Sequence, residues 1–259
     1  MNATMTCLHG PWRYSAALGL FLVLMCFQAF AQEFSSRHHR IKLTVVADGL
    51  ENPWALAFLP DGDILVSERP GRLRIIRNGV LLPKPVQGLP QIKATGQGGL
   101  LDLLPHPDFA TNRLLYFSYS ANFGGGVTTH VARGKLQDGA LKDVDVLFRA
   151  EPASSGRVHF GSRLSFDNEG YLYISVGERG QMHRAQKLDD HAGKIIRIHD
   201  DGRIPEDNPF VGRSDARPEI FSFGHRNPQG MAVHPQTGEI WAHEHGPRGG
   251  DEINLIRPG

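Results

Sequence analysis

The sequence predicts an all-β fold of repeated small sheets, the plan of a β-propeller, and three observations carry the prediction. Apolar residues recur with a period of two in short β-branched or aromatic runs, the spacing of half-buried strands. Turn signals of one type recur between those runs: Phe58-Leu59-Pro60-Asp61-Gly62, His106-Pro107-Asp108, Phe166-Asp167-Asn168-Glu169-Gly170 and Val233-His234-Pro235-Gln236-Thr237-Gly238. These units return at an irregular spacing of roughly 50–65 residues, as expected of blades that need neighbours to bury their faces. No long amphipathic helix interrupts them.

In chain order, residues 1–31 come first. They hold no acidic residue, one Arg or Lys (Arg13), an apolar stretch from Ala16 to Phe27, and Ala29-Phe30-Ala31 before Gln32. This is the pattern of a secretory signal peptide, with cleavage expected near Ala31. The apolar run is short for a transmembrane anchor, so no stable membrane anchor and a periplasmic or secreted protein are expected. Both cysteines, Cys7 and Cys26, fall inside this leader, which excludes disulfides and cysteine metal sites from the mature chain. Without Arg13 the chain carries 27 basic against 27 acidic residues, a balance that argues against nucleic acid as a partner. Residues 32–259 show no linker composition and read as one domain. His38 and His39, between Arg37 and Arg40, are expected in a mobile leader.

The strands expected next are Ile64-Leu65-Val66, Leu73-Arg74-Ile75-Ile76, Leu114-Leu115-Tyr116-Phe117, Tyr171-Leu172-Tyr173-Ile174 and Lys194-Ile195-Ile196-Arg197-Ile198. The last pair is Met231 to His234 with Glu239 to Ala242. Two loops bounded by glycine and proline flank that pair: Gly224-His225-Arg226-Asn227-Pro228-Gln229-Gly230, and His245-Gly246-Pro247-Arg248-Gly249-Gly250-Asp251-Glu252. Loops mixing fixed charge with free carbonyls on a β scaffold point to chemistry. His159 follows the small residues Ser154, Ser155 and Gly156 and precedes a strand, and an imidazole titrates near enough to neutral pH to accept a proton.

Some patterns exclude chemistry. Gly96-Gln97-Gly98-Gly99 lacks the second spacing and the following helix of a dinucleotide fingerprint. No G-x-S-x-G is present for serine hydrolysis. His243 and His245 around Glu244 could share a strand face, but no third spaced ligand and no H-E-x-x-H supports a transition metal.

Taken together, Asn52-Pro53-Trp54-Ala55-Leu56, Gly96-Gln97-Gly98-Gly99-Leu100-Leu101, His106-Pro107-Asp108-Phe109, the run from His159 to Leu164 and both closing loops resemble the soluble quinoprotein glucose/sorbosone dehydrogenases, in family order. The likeness is greatest to their periplasmic aldose sugar dehydrogenase branch. It implies a six-bladed β-propeller, of which residues 32–259 supply about four blades, so that this chain is expected to stop before the last blades. It implies the cofactors pyrroloquinoline quinone and calcium, an aldose sugar oxidised at its C1 hydroxyl, and an unknown electron acceptor.

Residue by residue, the resemblance makes His159 the general base. Arg226 and Asn227 would touch the reactive quinone carbonyl, and an always-charged guanidinium suits the negative charge that develops there. Gln97 would stand at the site mouth. Gly246 and Pro247 would offer backbone carbonyls to calcium, which prefers hard oxygen ligands, and Glu252 would bind a second, structural calcium. Narrower glucose dehydrogenases of the family carry an aspartate just before the histidine, where this chain has Val158, so the resemblance leaves open what orients His159. Two other readings of the residues stay open: a non-catalytic propeller fragment, and a calcium-dependent lactonase or esterase on a similar propeller.

Overall fold

The structure, a computed structural model, describes residues 32–259; the expected leader and its two cysteines lie outside the described residues. The described residues fall into two units, 32–45 and 46–259. In the first, β1 (Gln32–Ser35) pairs antiparallel with β2 (Arg40–Leu43). Ser36 closes the turn, its hydroxyl accepting from the His39 amide at 2.9 Å. The segment around His38 and His39, expected to be mobile, is therefore the turn of a hairpin, because a serine at the turn supplies the missing acceptor.

In the second unit, four antiparallel sheets follow one another along the chain. The first holds β3 (Pro53–Phe58), β4 (Ile64–Glu68), β5 (Arg72–Arg77) and β6 (Val80–Leu81). The second holds β7 (Leu100–Pro105), β8 (Leu114–Phe123), β9 (Gly126–Gln137) and β10 (Ala140–Arg149). The third holds β11 (Leu164–Phe166), β12 (Leu172–Val176), β13 (Lys194–Ile198) and β14 (Ile220–Phe223). The fourth holds β15 (Pro228–Val233), β16 (Ile240–Glu244) and β17 (Glu252–Leu255). In each sheet the strands stand in chain order, the up-and-down arrangement of a propeller blade. The expectation of about four blades is met. The only helical pieces described are the single turn α1 (Phe109–Asn112) and a 3₁₀ turn at Met182–Gln186.

Three cores separate the four sheets. Leu65, Leu73, Leu100, Leu115 and Phe117 fill the space between the first and second. Tyr116, Val131, Leu172, Ile174 and Ile196 fill that between the second and third. Tyr173, Ile195, Phe221, Ile240 and Ala242 join the third to the fourth. The period of two explains the division: Ile174 and Ile196 face one neighbour while Tyr173 and Ile195, one residue earlier, face the other. Each such side chain, fully buried, contributes about 1.5–3 kcal/mol. On the outward faces of the first and fourth sheets, Leu56, Phe58, Trp241 and Ile253 are exposed.

Candidate active site

Every expected site residue lies at one end of the blades, where the first strand of a sheet begins or where its second strand turns into its third. Gln97 precedes β7, His159 precedes β11, and Arg226 and Asn227 precede β15. Gly246 and Pro247 lie in the β16–β17 turn, and Glu252 opens β17. A cavity of about 380 Å³ opens here, lined by Trp54, Arg69, Gln97, Phe160, Asn227 and His245 among others, with no acidic residue in its wall.

Gln97 sits at the tip of a turn closed by the Gly98 amide donating to the Thr95 carbonyl at 2.8 Å. The glycines around it are required by close approach. A Cβ on Gly96 would lie 2.1 Å from the Arg157 carbonyl oxygen, and one on Gly98 would lie 2.5 Å from Ser120 Oγ. The Gln97 amide oxygen accepts from the His159 backbone N–H at 2.8 Å. His159 is held at φ +53°, a left-handed conformation that costs a non-glycine residue about 1–2 kcal/mol.

Glu178, in the β12–β13 loop, answers what orients His159. Its Oε1 lies 2.7 Å from His159 Nδ1, and its Oε2 accepts from the Gln181 amide at 2.6 Å. The carboxylate fixes the imidazole through Nδ1–H and leaves Nε2 as the basic nitrogen. Next in sequence, the buried Arg179 donates to the Val158 carbonyl at 2.8 Å and stacks its guanidinium 3.4 Å from the Phe160 ring centroid. Burial pushes its pKa down to about 10, so it stays charged at neutral pH and clamps the strand that carries His159.

Glu244, the last residue of β16, anchors the other half. Oε2 accepts from the Arg226 amide at 2.6 Å and the Asn227 amide at 3.1 Å. Oε1 meets His225 Nδ1 at 3.0 Å and Asn254 Nδ2 at 3.1 Å. Burial alone would raise its carboxyl pKa, but His225 and the two amides outweigh it and hold the group below the usual value. The Arg226 guanidinium donates to the His245 carbonyl at 3.0 Å, and the Arg226 carbonyl accepts from the Glu178 amide at 2.8 Å. Asn227 Oδ1 accepts from the Gly161 amide at 3.2 Å. Thus Gln97, His159, Arg226 and Asn227, on three different blades, form one hydrogen-bonded assembly through Glu178 and Glu244.

Below this assembly, Arg163 reaches three strands. It pairs with the buried Asp102 of β7 at 2.6 Å, donates to the Gln229 carbonyl at 2.9 Å and lies 4.6 Å over the Trp54 ring.

The turn after β16 is tight. A Cβ on Gly246 would lie 2.3 Å from the Gly250 carbonyl oxygen, and the Gly246 amide donates to Asp251 Oδ1 at 3.0 Å. Glu252 is exposed, stands opposite Glu244 in register, and bonds Asn254 rather than the turn. Among the described residues, no group of three or more His, Cys, Asp or Glu side chains is placed to hold a metal.

Glu178, Arg179 and Glu244 were absent from the sequence-based set. Only Glu244 had a usable signal: period two places it on the inward face with Ile240 and Ala242, while His243 points out.

The sequence pattern of the glucose/sorbosone dehydrogenases matches residues 50–259. The chain belongs to the glucose/sorbosone dehydrogenase family. It is similar to the aldose sugar dehydrogenase of Escherichia coli, 48% identical over 223 residues that cover 85% of this chain and 60% of that protein. The crystal structure of the soluble E. coli enzyme in its apo form superposes with a TM-score of 0.80 over 83% of this chain and 63% of that one. The PQQ-bound aldose sugar dehydrogenase of Streptomyces coelicolor, 32% identical, gives 0.74 over 84% of this chain and 63% of that one. The family member described here thus spans about three fifths of the length of these relatives.

Proposed function

We propose that the protein oxidises the C1 hydroxyl of an aldose sugar to a lactone, with pyrroloquinoline quinone as the hydride acceptor and calcium beside it. The observation that carries the reading is the His159–Glu178 pair: a histidine whose Nδ1 is tied to a buried carboxylate at 2.7 Å is a positioned base. The cavity fits the quinone, an anionic planar group. Trp54 and Phe160 offer flat walls, Arg69, Arg226 and the amides of Gln97 and Asn227 offer donors at or beside it, and no carboxylate opposes them. The Gly246-Pro247 turn fits calcium by donor chemistry, since its backbone oxygens are hard ligands and an alanine at Gly246 would be crowded out. Glu252 supplies one hard oxygen to the second calcium site.

When bound, the quinone supplies a two-electron sink for the hydride leaving C1. His159 Nε2 takes the C1 hydroxyl proton, so that the C–O bond becomes C=O as the C–H pair departs. Glu178 keeps the imidazole in that tautomer and stabilises its protonated form. Arg226 holds fixed positive charge where negative charge gathers, at no reorganisation cost because Glu244 has already set its backbone. Gln97 fixes the His159 main chain from the neighbouring blade. Export to the periplasm, with removal of residues 1–31, completes the reading; no helix among the described residues is long and apolar enough to cross a membrane.

The test is to add quinone and calcium to the purified protein, follow the absorbance spectrum, and assay aldose-dependent dye reduction. Saturable quinone binding without sugar-dependent reduction would refute the dehydrogenase reading.

A further inference from the structure

A second cavity, of about 540 Å³, lies against the second sheet. Lys93 and Arg149 supply two positive charges to its wall, Gln91 and Asn122 supply amides, and Phe123 supplies an aromatic face. No acidic residue lines it. In the same wall is His130, only 4% exposed, whose Nε2 has no hydrogen-bond partner among the described residues. That nitrogen is itself shielded from solvent, with Tyr119 and Phe123 packed against the ring. Burial and the nearby Arg149 charge push the His130 pKa down to about 4. The ring is therefore neutral in ordinary conditions and adds no charge to the wall.

This lining selects a ligand class. Two cations without a counter-carboxylate call for an anion. The two amides call for hydroxyl groups, and an exposed aromatic face suits the C–H surface of a sugar. We propose that this cavity is a second binding site, for a small sugar acid, a single carboxylate on a polyhydroxylated chain.

The segment between the first and second sheets gives the site a bearing on the first cavity. Gln91, Ile92 and Lys93 line the second cavity, and Gly96 and Gln97 of the same segment line the first. Ser120 joins them: it accepts from the Lys93 amide through its carbonyl at 2.8 Å and donates its hydroxyl to the Lys93 carbonyl at 2.7 Å. The same hydroxyl abuts Gly98. Occupancy of the second cavity therefore acts on the turn that presents Gln97 to His159. A sugar acid is also what the lactone of the proposed reaction becomes on hydrolysis, and this link alone rests on that reading; the assignment of the site does not.

The experiment uses the protein without quinone, so that it stands apart from the test of the dehydrogenase reading. Sodium gluconate is titrated calorimetrically, with glucose and acetate as probes lacking the charge and the hydroxyls respectively. The result expected is one saturable site for gluconate, with glucose and acetate each at least about tenfold weaker, a difference of about 1.4 kcal/mol. Arg149→Gln and Lys93→Gln, both at exposed positions, should each weaken gluconate by about tenfold while leaving the unfolding midpoint in place. In spectra of uniformly ¹⁵N-labelled protein the His130 ring resonances should move on gluconate addition, and the Gln97 side-chain amide with them. Absence of saturable heat, equal binding of acetate, unchanged affinity in both variants, or a stationary His130 resonance would each overturn the proposal.

Discussion

Replacing Glu244 by glutamine isolates what a single buried carboxylate does for the loop that carries Arg226 and Asn227. The wild-type side chain receives four donors, from the Arg226 and Asn227 amides, His225 and Asn254. Hydrogen bonds to a charged acceptor contribute about 1 kcal/mol more than neutral ones. A glutamine keeps the shape but accepts at one oxygen only: two bonds forfeit that increment and its NH₂ faces donors at the other two, so the loss is at least about 3 kcal/mol. With a urea slope of about 3 kcal/mol/M for a chain of this size, the midpoint should fall by about 1 M, read from the emission of Trp241 on the same strand. The sign with pH follows from the depressed carboxyl pKa. A folded value below the unfolded one gives stability that is complete above the unfolded value and lost as pH falls through the folded one. The gap between wild type and variant should therefore close in acid. Equal midpoints at neutral pH, or a gap that persists unchanged at pH 3, would refute the assignment of Glu244 as the charged anchor.

Four further outcomes are expected. In quinone-loaded protein, His159→Gln should lower turnover by about 10²–10⁴-fold without weakening quinone binding, and Glu178→Gln should do the same by about tenfold; steady-state kinetics beside a quinone titration reads both. Gly246→Ala, whose new methyl would lie 2.3 Å from the Gly250 oxygen, should weaken calcium at least about tenfold in a direct calcium titration. Arg163→Met strands the Asp102 carboxylate, already pushed up in pKa by burial. It should cost about 3–5 kcal/mol in denaturant unfolding, and adding Asp102→Asn should return part of it. N-terminal sequencing of the exported form should begin at Gln32, and retention of residues 1–31 would contradict the leader assignment.

The propeller plan was legible because its strands advertise themselves locally. Ile195 to Ile198 alternate between two cores, Leu73 and Ile75 share one, and neither run could serve a helix. β9 and β10 were not legible: Arg133, Lys135, Lys142, Asp143 and Asp145 break their apolar rhythm where the outer part of the blade meets solvent. The residue types of the candidate site were legible through two glycine-bounded loops, and the structure gathers Gln97, His159, Arg226 and Asn227 into one assembly. Their supports were not. Glu178 lies 19 residues from His159, across two strands and the turn between them, and nothing in local sequence announces a contact made by closing a sheet. His38 and His39 misled for the opposite reason, since a short turn held by one serine hydroxyl leaves almost no pattern.

Glu244 grips the Arg226-Asn227 segment by its main chain, and Glu178 takes hold of the Arg226 carbonyl through its own main chain. Grip on the peptide separates the course of a loop from the identity of what it displays. The Arg226 side chain can be exchanged while the path of the segment stays put, so substitutions there should alter what the site binds before they alter whether the protein folds, whereas the buried Asn227, whose Oδ1 accepts from the Gly161 amide, answers to both. Variation at 244 should do the reverse, and the two positions mark where selection for new binding and selection for robustness can proceed independently on this scaffold.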